Sequence, residues 1–175
     1  LGFSYVAFRL IHTIRDRQSG RFPSVDLGEY LTYVIFFPAF TAGPIDRIER
    51  FIKELRAPFV GLSLETFFPA GQRLLLGLFK KFVIADALAL VALNDTNATQ
   101  VASTFWMWVI VYAYAFQIYF DFSGYTDIAI GISKFLGIQL PENFSAPYQK
   151  PNLTQFWNNW HMTLTQWFRA YFFNP

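Results

Sequence analysis

The sequence predicts an all-α protein, a multi-pass transmembrane helical bundle with re-entrant and interfacial helices. Three observations predict it. Hydrophobic residues make up 54% of the 175-residue chain and aromatics 21%, whereas 15% are charged, against about 25% in an ordinary soluble domain. Residues 101–120 run for twenty positions without a charge, and at about 1.5 Å per residue such a run approaches the thickness of the hydrocarbon core. Other apolar stretches recur along the chain, which a soluble core rich in aromatics rarely needs.

Residues 1–14 are apolar from the first position. Residues 31–45 are apolar but carry Pro38 and the turn-like Ala42-Gly43-Pro44. Residues 59–72 set apolar positions between Ser63, Glu65 and Gln72, fitting a short interfacial helix or a plain surface connection. Residues 73–93 are apolar at both ends and hold Lys80 and Lys81 in the middle. Those lysines either snorkel to an interface or pair with Asp86 or another acid. The run 101–120 contains Trp106, Trp108, Tyr112, Tyr114 and Tyr119, whose polar tips favour the membrane interface. Residues 128–138 are too short to cross alone.

Polar connections fall at residues 15–26, 46–56, 94–100 and 141–154. Residues 94–100 carry no Lys or Arg and are expected to face outward, whereas Arg47, Arg50, Lys53 and Arg56 mark a cytoplasmic loop. Arg15, Arg17 and Arg21 mark another. Either residues 31–45 form a re-entrant hairpin turning near residues 38–44, or the charge rule fails at one loop.

The net charge of +2 is scattered and forms no stripe, which argues against nucleic acid as a partner. With no cysteine there is neither a disulfide framework nor a thiol nucleophile. The two histidines, His12 and His161, have no second ligand at helical spacing, so no metal is expected. There is no initiator Met or signal peptide, and both ends read as cut, so residues 1–175 are expected to be one partial membrane domain.

Two places hold chemistry-bearing residues. On one helix, Trp157, Trp160, His161, Leu164, Trp167 and Phe168 share a face, with Asn158, Asn159, Gln166 and Arg169 opposite. An imidazole in that setting stays neutral, because burial disfavours its charged form. It could then accept the proton of a hydroxyl attacking a carbonyl, or simply be a packed histidine bonded to a backbone carbonyl. His12, near Arg9 and Arg15, reads as solvated or structural. The second place is Asp121-Phe122-Ser123-Gly124-Tyr125-Thr126-Asp127, directly after the long apolar run. Its polar side chains could line a polar tunnel, or the helix could end there with Asp121 in water.

The order of short motifs resembles the membrane-bound O-acyltransferases, in the bacterial branch of alginate O-acetylation and teichoic-acid D-alanylation proteins. The residues that carry the resemblance are Phe36-Phe37-Pro38 with Ala42-Gly43-Pro44-Ile45, and Gly77-Leu78-Phe79-Lys80-Lys81 with Ala85-Asp86. They continue with Tyr119-Phe120 through Asp127, then Asn143-Phe144 with Pro147-Tyr148, and last Phe156-Trp157 and Trp160-His161 with Leu164 and Trp167. The resemblance implies a many-helix membrane fold around a central tunnel, reached by acyl donor and acceptor from opposite sides.

It implies that His161 is catalytic, with Asp121, Ser123, Tyr125, Asp127, Trp157, Asn159 and Trp160 lining the tunnel. A second histidine, in a Leu-Trp-His-Gly motif downstream in the family, lies beyond this chain. Ala170 departs from the family, which usually has an acid after the residue matching Arg169. The implied protein is a multi-pass enzyme of the bacterial inner membrane. It passes an acetyl or similar acyl group from acyl-CoA or an acyl-carrier thioester, used as substrate and not as a bound cofactor, to a hydroxyl of an extracytoplasmic polysaccharide. Its partners are membrane lipid, an acyl-carrier protein, and the polysaccharide or a periplasmic transferase. A transport protein without chemistry, or an acyl-relay or assembly subunit serving a separate periplasmic transferase, are the rival readings.

Overall fold

The computed structural model describes residues 2–58, 61 and 63–173. Among these the chain is helical, without strands. The helices are α1 (Gly2–Gln18), α2 (Leu27–Val34), α3 (Ile48–Arg56), α4 (Leu64–Phe79), α5 (Asp86–Ala89), α6 (Asp95–Gln100), α7 (Thr104–Phe135), α8 (Leu153–Asn159) and α9 (Met162–Phe168). A π-helical segment, Lys80–Ala85, joins α4 to α5 without a break, and another, Arg169–Phe173, extends α9.

The polar connections supply the residues that start the helices. Asp26 accepts from the Glu29 backbone N–H at 2.8 Å, and the Glu29 carboxylate accepts in return from the Asp26 N–H at 3.0 Å. This reciprocal cap satisfies two donors that the first helical turn leaves unpaired. Arg56 at the end of α3 then grips both oxygens of Glu29 at 2.7 Å, tying α3 to the start of α2. Asn94 makes the same reciprocal cap at α6, whereas Ser63 and Asn152 cap α4 and α8 by accepting one backbone N–H each. Phe59, Val60 and Leu62 lie outside the described residues; from Leu64 onward the expected short interfacial helix is instead the first part of α4.

Among the described residues no helix is long and apolar enough to cross a membrane. The expected crossing at residues 101–120 meets this limit because Tyr and Trp side chains and Gln117 dilute its apolar character and its helix begins only at Thr104. Past Phe120, α7 continues through Asp121, Asp127 and Lys134. The helix does not end at Asp121, one of the two readings of that segment, and residues 128–135 are the last turns of α7, with 136–138 beyond its end. Residues 31–45 are broken after Val34: a short 3-10 turn, Phe37–Ala39, leads into irregular backbone that reaches α3. A Cβ on Gly43 would lie 2.4 Å from Ala39 Cα, so only glycine closes this turn.

The pair of α4 and α7 forms the spine. A Cβ on Gly77 would fall 2.6 Å from the Ile128 backbone N, one on Gly124 2.8 Å from the Gly77 O, and one on Gly131 2.8 Å from the Leu74 N. The two backbones therefore touch, as small residues allow where helices cross closely. Contact at this range sets the charges of α4 against those of α7. Asp127, 4% exposed, accepts from Arg73 Nε at 2.7 Å and from Lys80 Nζ at 2.6 Å. Arg73 also reaches Glu142 at 2.5 Å, and Lys81 pairs with Asp121. The lysines thus pair with acids of α7 and not with Asp86. The widened π-helical turn lets both consecutive lysines face the same helix.

Two apolar clusters pack around the spine. Tyr33, Phe36, Phe51 and Ile48 join α2 and α3 to Ala129 and Ile130 of α7. Ile45, Trp167 and Tyr171 pack with Tyr5 and Phe8 of α1. Arg9 crosses from α1 and donates to the Val34 carbonyl at 2.8 Å and to the Ala39 carbonyl, meeting the negative end of α2. His12, expected to be solvated or structural, is 0% exposed. Tyr33 spends its proton on the Asp46 carbonyl at 2.7 Å, so His12 Nε2 donates to the Tyr33 oxygen at 2.7 Å. His12 is structural.

Two stability predictions follow from the spine. Gly124→Val and Gly77→Val force the backbones apart and are expected to abolish the folded, monodisperse peak of the full-length protein in detergent. Gly71→Ala on the same helix meets nothing nearer than Phe135 Cζ at 3.9 Å and is expected to be neutral or to stabilise by up to about 1 kcal/mol. Asp127→Ala leaves Lys80 without its partner and Arg73 with Glu142 alone, and is expected to cost about 2 kcal/mol. Asp121, whose side chain is 53% exposed, is expected to cost about 1 kcal/mol or less as Asp121→Ala. Thermal denaturation of Gly71→Ala, Asp127→Ala and Asp121→Ala against the parent reads the order.

Candidate active site

The sequence reads residues 156–169 as one helix, but the chain breaks it at His161. Trp160 is extended, with φ −102° and ψ 126°, and His161 is left-handed, with φ 46° and ψ 54°. This conformation costs a non-glycine residue about 1–2 kcal/mol, so its surroundings must hold it. The connection after α7 does so. The Met162 N–H donates to the Asn143 carbonyl at 2.9 Å, and the Ser145 N–H donates to the Asn159 carbonyl at 3.1 Å. Inside this clamp the Asn143 side chain is fully buried. Its Oδ1 accepts from the Thr163 N–H at 3.3 Å and the Thr163 hydroxyl at 2.9 Å, and lies 2.9 Å from His161 Nδ1. The Thr163 oxygen in turn accepts from the Ile45 N–H at 3.1 Å.

The break divides the expected shared face. Trp167 turns inward against Phe8, with ring centroids 4.7 Å apart, whereas Trp157 is 57% exposed.

These bonds settle the form of the imidazole. Because Asn143 Oδ1 accepts from a backbone N–H, it is the oxygen, and His161 Nδ1 must carry the proton. Nε2 then holds a lone pair, directed at the Tyr5 hydroxyl 3.3 Å away. The ring of Phe122 stands edge-on to the imidazole at 4.8 Å. Burial pushes the His161 pKa down to about 4, so the ring is neutral at neutral pH. A neutral imidazole with one fixed proton and one free lone pair is the form a general base needs.

A polar cavity of about 280 Å³ lies in the groove between α4 and α7. Ser123, Thr126 and Asp127 line it from α7, Arg73 and Lys80 from α4, and Glu142 from the connection. His161 does not line it. Phe122 touches the imidazole and Phe144 touches Phe122, with centroids 5.1 Å apart, so these two rings stand between His161 and the cavity.

Of the residues expected along a tunnel, the cavity collects Ser123 and Asp127. Tyr125 instead bonds the Thr41 hydroxyl, joining α7 to the irregular segment after α2. Asp121 is paired with Lys81 outside the cavity. Trp160 stacks on Phe156 at 5.5 Å, within an aromatic group that includes Phe144 and Tyr119. Asn159 folds back onto the Gln155 carbonyl at 2.8 Å. Arg169 donates to Asn158, and Ala170 lies beside Arg15, Arg21 and Tyr171. Tyr5, Asn143 and Thr163 were not singled out from the sequence as partners of His161. Asn143 is visible there only as part of a motif, and Tyr5 is 156 positions away from His161, beyond any local pattern.

The chain is similar to curated proteins over most or nearly all of its length. A teichoic acid D-alanyltransferase of Streptococcus thermophilus is 34% identical over 99% of this chain and 43% of its own length. A probable alginate O-acetylase of Pseudomonas syringae pv. tomato is 36% identical over 99% of this chain and 33% of its own. A peptidoglycan O-acetyltransferase of Helicobacter pylori is 37% identical over 84% of this chain and 28% of its own. The chain thus spans less than half the length of these relatives. The model of the membrane-bound O-acyltransferase family matches residues 3–175, and the chain belongs to that family.

Proposed function

We propose that the full-length protein is an O-acyltransferase that moves an acetyl or similar small acyl group onto a hydroxyl of an extracytoplasmic polysaccharide. The observation that carries the reading is the His161 imidazole, neutral, with its proton fixed on Nδ1 and its Nε2 lone pair already facing a hydroxyl. The names of the relatives support the reaction class, since they move acetyl or D-alanyl groups. The donor is a thioester, acyl-CoA or an acyl-carrier protein. The acceptor hydroxyl takes the place of the Tyr5 hydroxyl. As its oxygen attacks the thioester carbonyl, its proton passes to Nε2. The C–S bond then breaks, and the proton leaves with the thiolate, so an ester and a thiol are formed. Asp127, Arg73 and Lys80 shape the polar cavity and take no covalent part.

The reading places the enzyme in the bacterial inner membrane as a multi-pass protein. Its support is the family, together with large apolar side chains left uncovered on α4 and α7, among them Leu75, Phe79, Phe105 and Trp108. Lipid or the rest of the longer protein covers such a surface. The separation of His161 from the polar cavity favours one rival, an acyl-relay or transport subunit that conducts through the cavity and leaves chemistry to a periplasmic transferase. Acyl transfer by the purified full-length protein alone excludes it.

In full-length protein of normal folding, His161→Ala is expected to lower acyl transfer at least about a hundredfold, the usual range for a general base. Unchanged transfer would remove His161 from the chemistry. The pH profile gives a second test. Only neutral imidazole accepts a proton, so activity is lost as pH falls through the folded-state pKa. With that value near 4 rather than 6.5, the acid limb assigned to His161 is expected well below pH 6. A limb at 6.5 or above that His161→Ala removes would mean a solvated ring.

A further inference from the structure

We propose that Asn143 is the positioning residue of the site, fixing both the tautomer and the direction of the His161 imidazole; the inference rests on the reading of His161 as proton acceptor. Three observations carry it. The amide cannot be turned over, because the Nδ2 group would then face the Thr163 N–H, donor against donor. The identity of the acceptor beside His161 Nδ1 is therefore set by the backbone of α9, and the histidine does not choose it. Asn143 also holds the break itself, since its carbonyl binds the Met162 N–H directly after the left-handed residue. One residue thus restrains the ring and the backbone that carries it.

The third observation is what Asn143 gives up. Its Nδ2 is buried and has no hydrogen-bond partner among the described residues. A buried donor left unpaired is destabilising, so packing alone does not favour an amide here. The side chain is explained by its Oδ1, the meeting point of three donors. Without that oxygen the proton can move to Nε2, and the nitrogen facing Tyr5 loses its lone pair.

The test uses membranes from cells expressing the full-length protein, radiolabelled acetyl-coenzyme A as donor and de-esterified envelope polysaccharide as acceptor. Rates are normalised to folded protein. Asn143→Ser is expected to lower kcat about tenfold to a hundredfold, with KM for the acceptor changed less than about twofold. The double variant Asn143→Ser/His161→Ala is expected to match His161→Ala alone, because a residue acting through the imidazole has nothing left to act on. Asn143→Asp, which keeps an acceptor oxygen and the same bulk, is expected to recover most of the kcat, and it carries the test alone if the serine variant does not fold. An unchanged kcat in Asn143→Ser, a further loss on the His161→Ala background, or a folded but inactive Asn143→Asp would each overturn the proposal. His161→Ala without effect would sink the catalytic reading, whereas an inactive His161→Ala beside a fully active Asn143→Ser would sink only the positioning role.

Discussion

The structure depends on one close contact, the backbone-to-backbone crossing of α4 and α7 at Gly77, Gly124 and Gly131. Without side chains between them, the helices come near enough for Arg73 and Lys80 to share Asp127 and for Lys81 to reach Asp121. The ion pairs are a consequence of the approach as much as a cause. Held a side chain's width further apart, Asp127 would be a buried charge without a partner, which costs several kcal/mol. The crossing also sets the cavity, since its α4 wall and its α7 wall are the residues that flank the glycines.

A second constraint governs the imidazole. A helix running unbroken through residues 156–169 would bond the His161 backbone along its own axis and leave the ring to whatever its face met. The left-handed turn instead makes His161 the residue before α9, with its ring turned to Asn143 on one side and Tyr5 on the other. The strain is local, and it is offset by bonds from the connection after α7 and, through Thr163, from Ile45. Elements from both ends and the middle of the chain therefore meet at one ring.

How much of this was legible in the sequence depends on how far each signal reaches. The helix starts at Asp26, Ser63, Asn94 and Asn152 all lie in or near polar connections, because a cap is a contact across three residues. The all-helical class and the importance of the segment 121–127 were legible from composition and motif. The continuation of α7 through that segment was not, because Asp121, Gly124 and Asp127 each disfavour a helix locally and the compensating cations lie 40 or more positions away. The break at His161 was hidden for the opposite reason. The local pattern of Trp157, Trp160, Leu164 and Trp167 is a good helical period, and it is overridden by hydrogen bonds from Asn143, 18 positions earlier.

The same reach bears on why the family's membrane setting and the hydropathy of these helices disagree. Mean hydropathy scores each charged residue as though it met its surroundings alone. On α4, its π-helical extension, α7 and the connection, Arg73, Lys80 and Lys81 are matched by Asp127, Glu142 and Asp121, three cations against three acids. Paired across the crossing, these groups present far less charge to an apolar medium than their count suggests. The large apolar side chains left pointing outward on the same helices include Leu75, Phe79, Phe82, Phe105, Trp106 and Ile118. A helix pair that matches its central charges and turns large aromatic and aliphatic groups outward is better suited to an apolar medium than either sequence by itself. What makes the pair suitable is the crossing, a property that neither helix has alone.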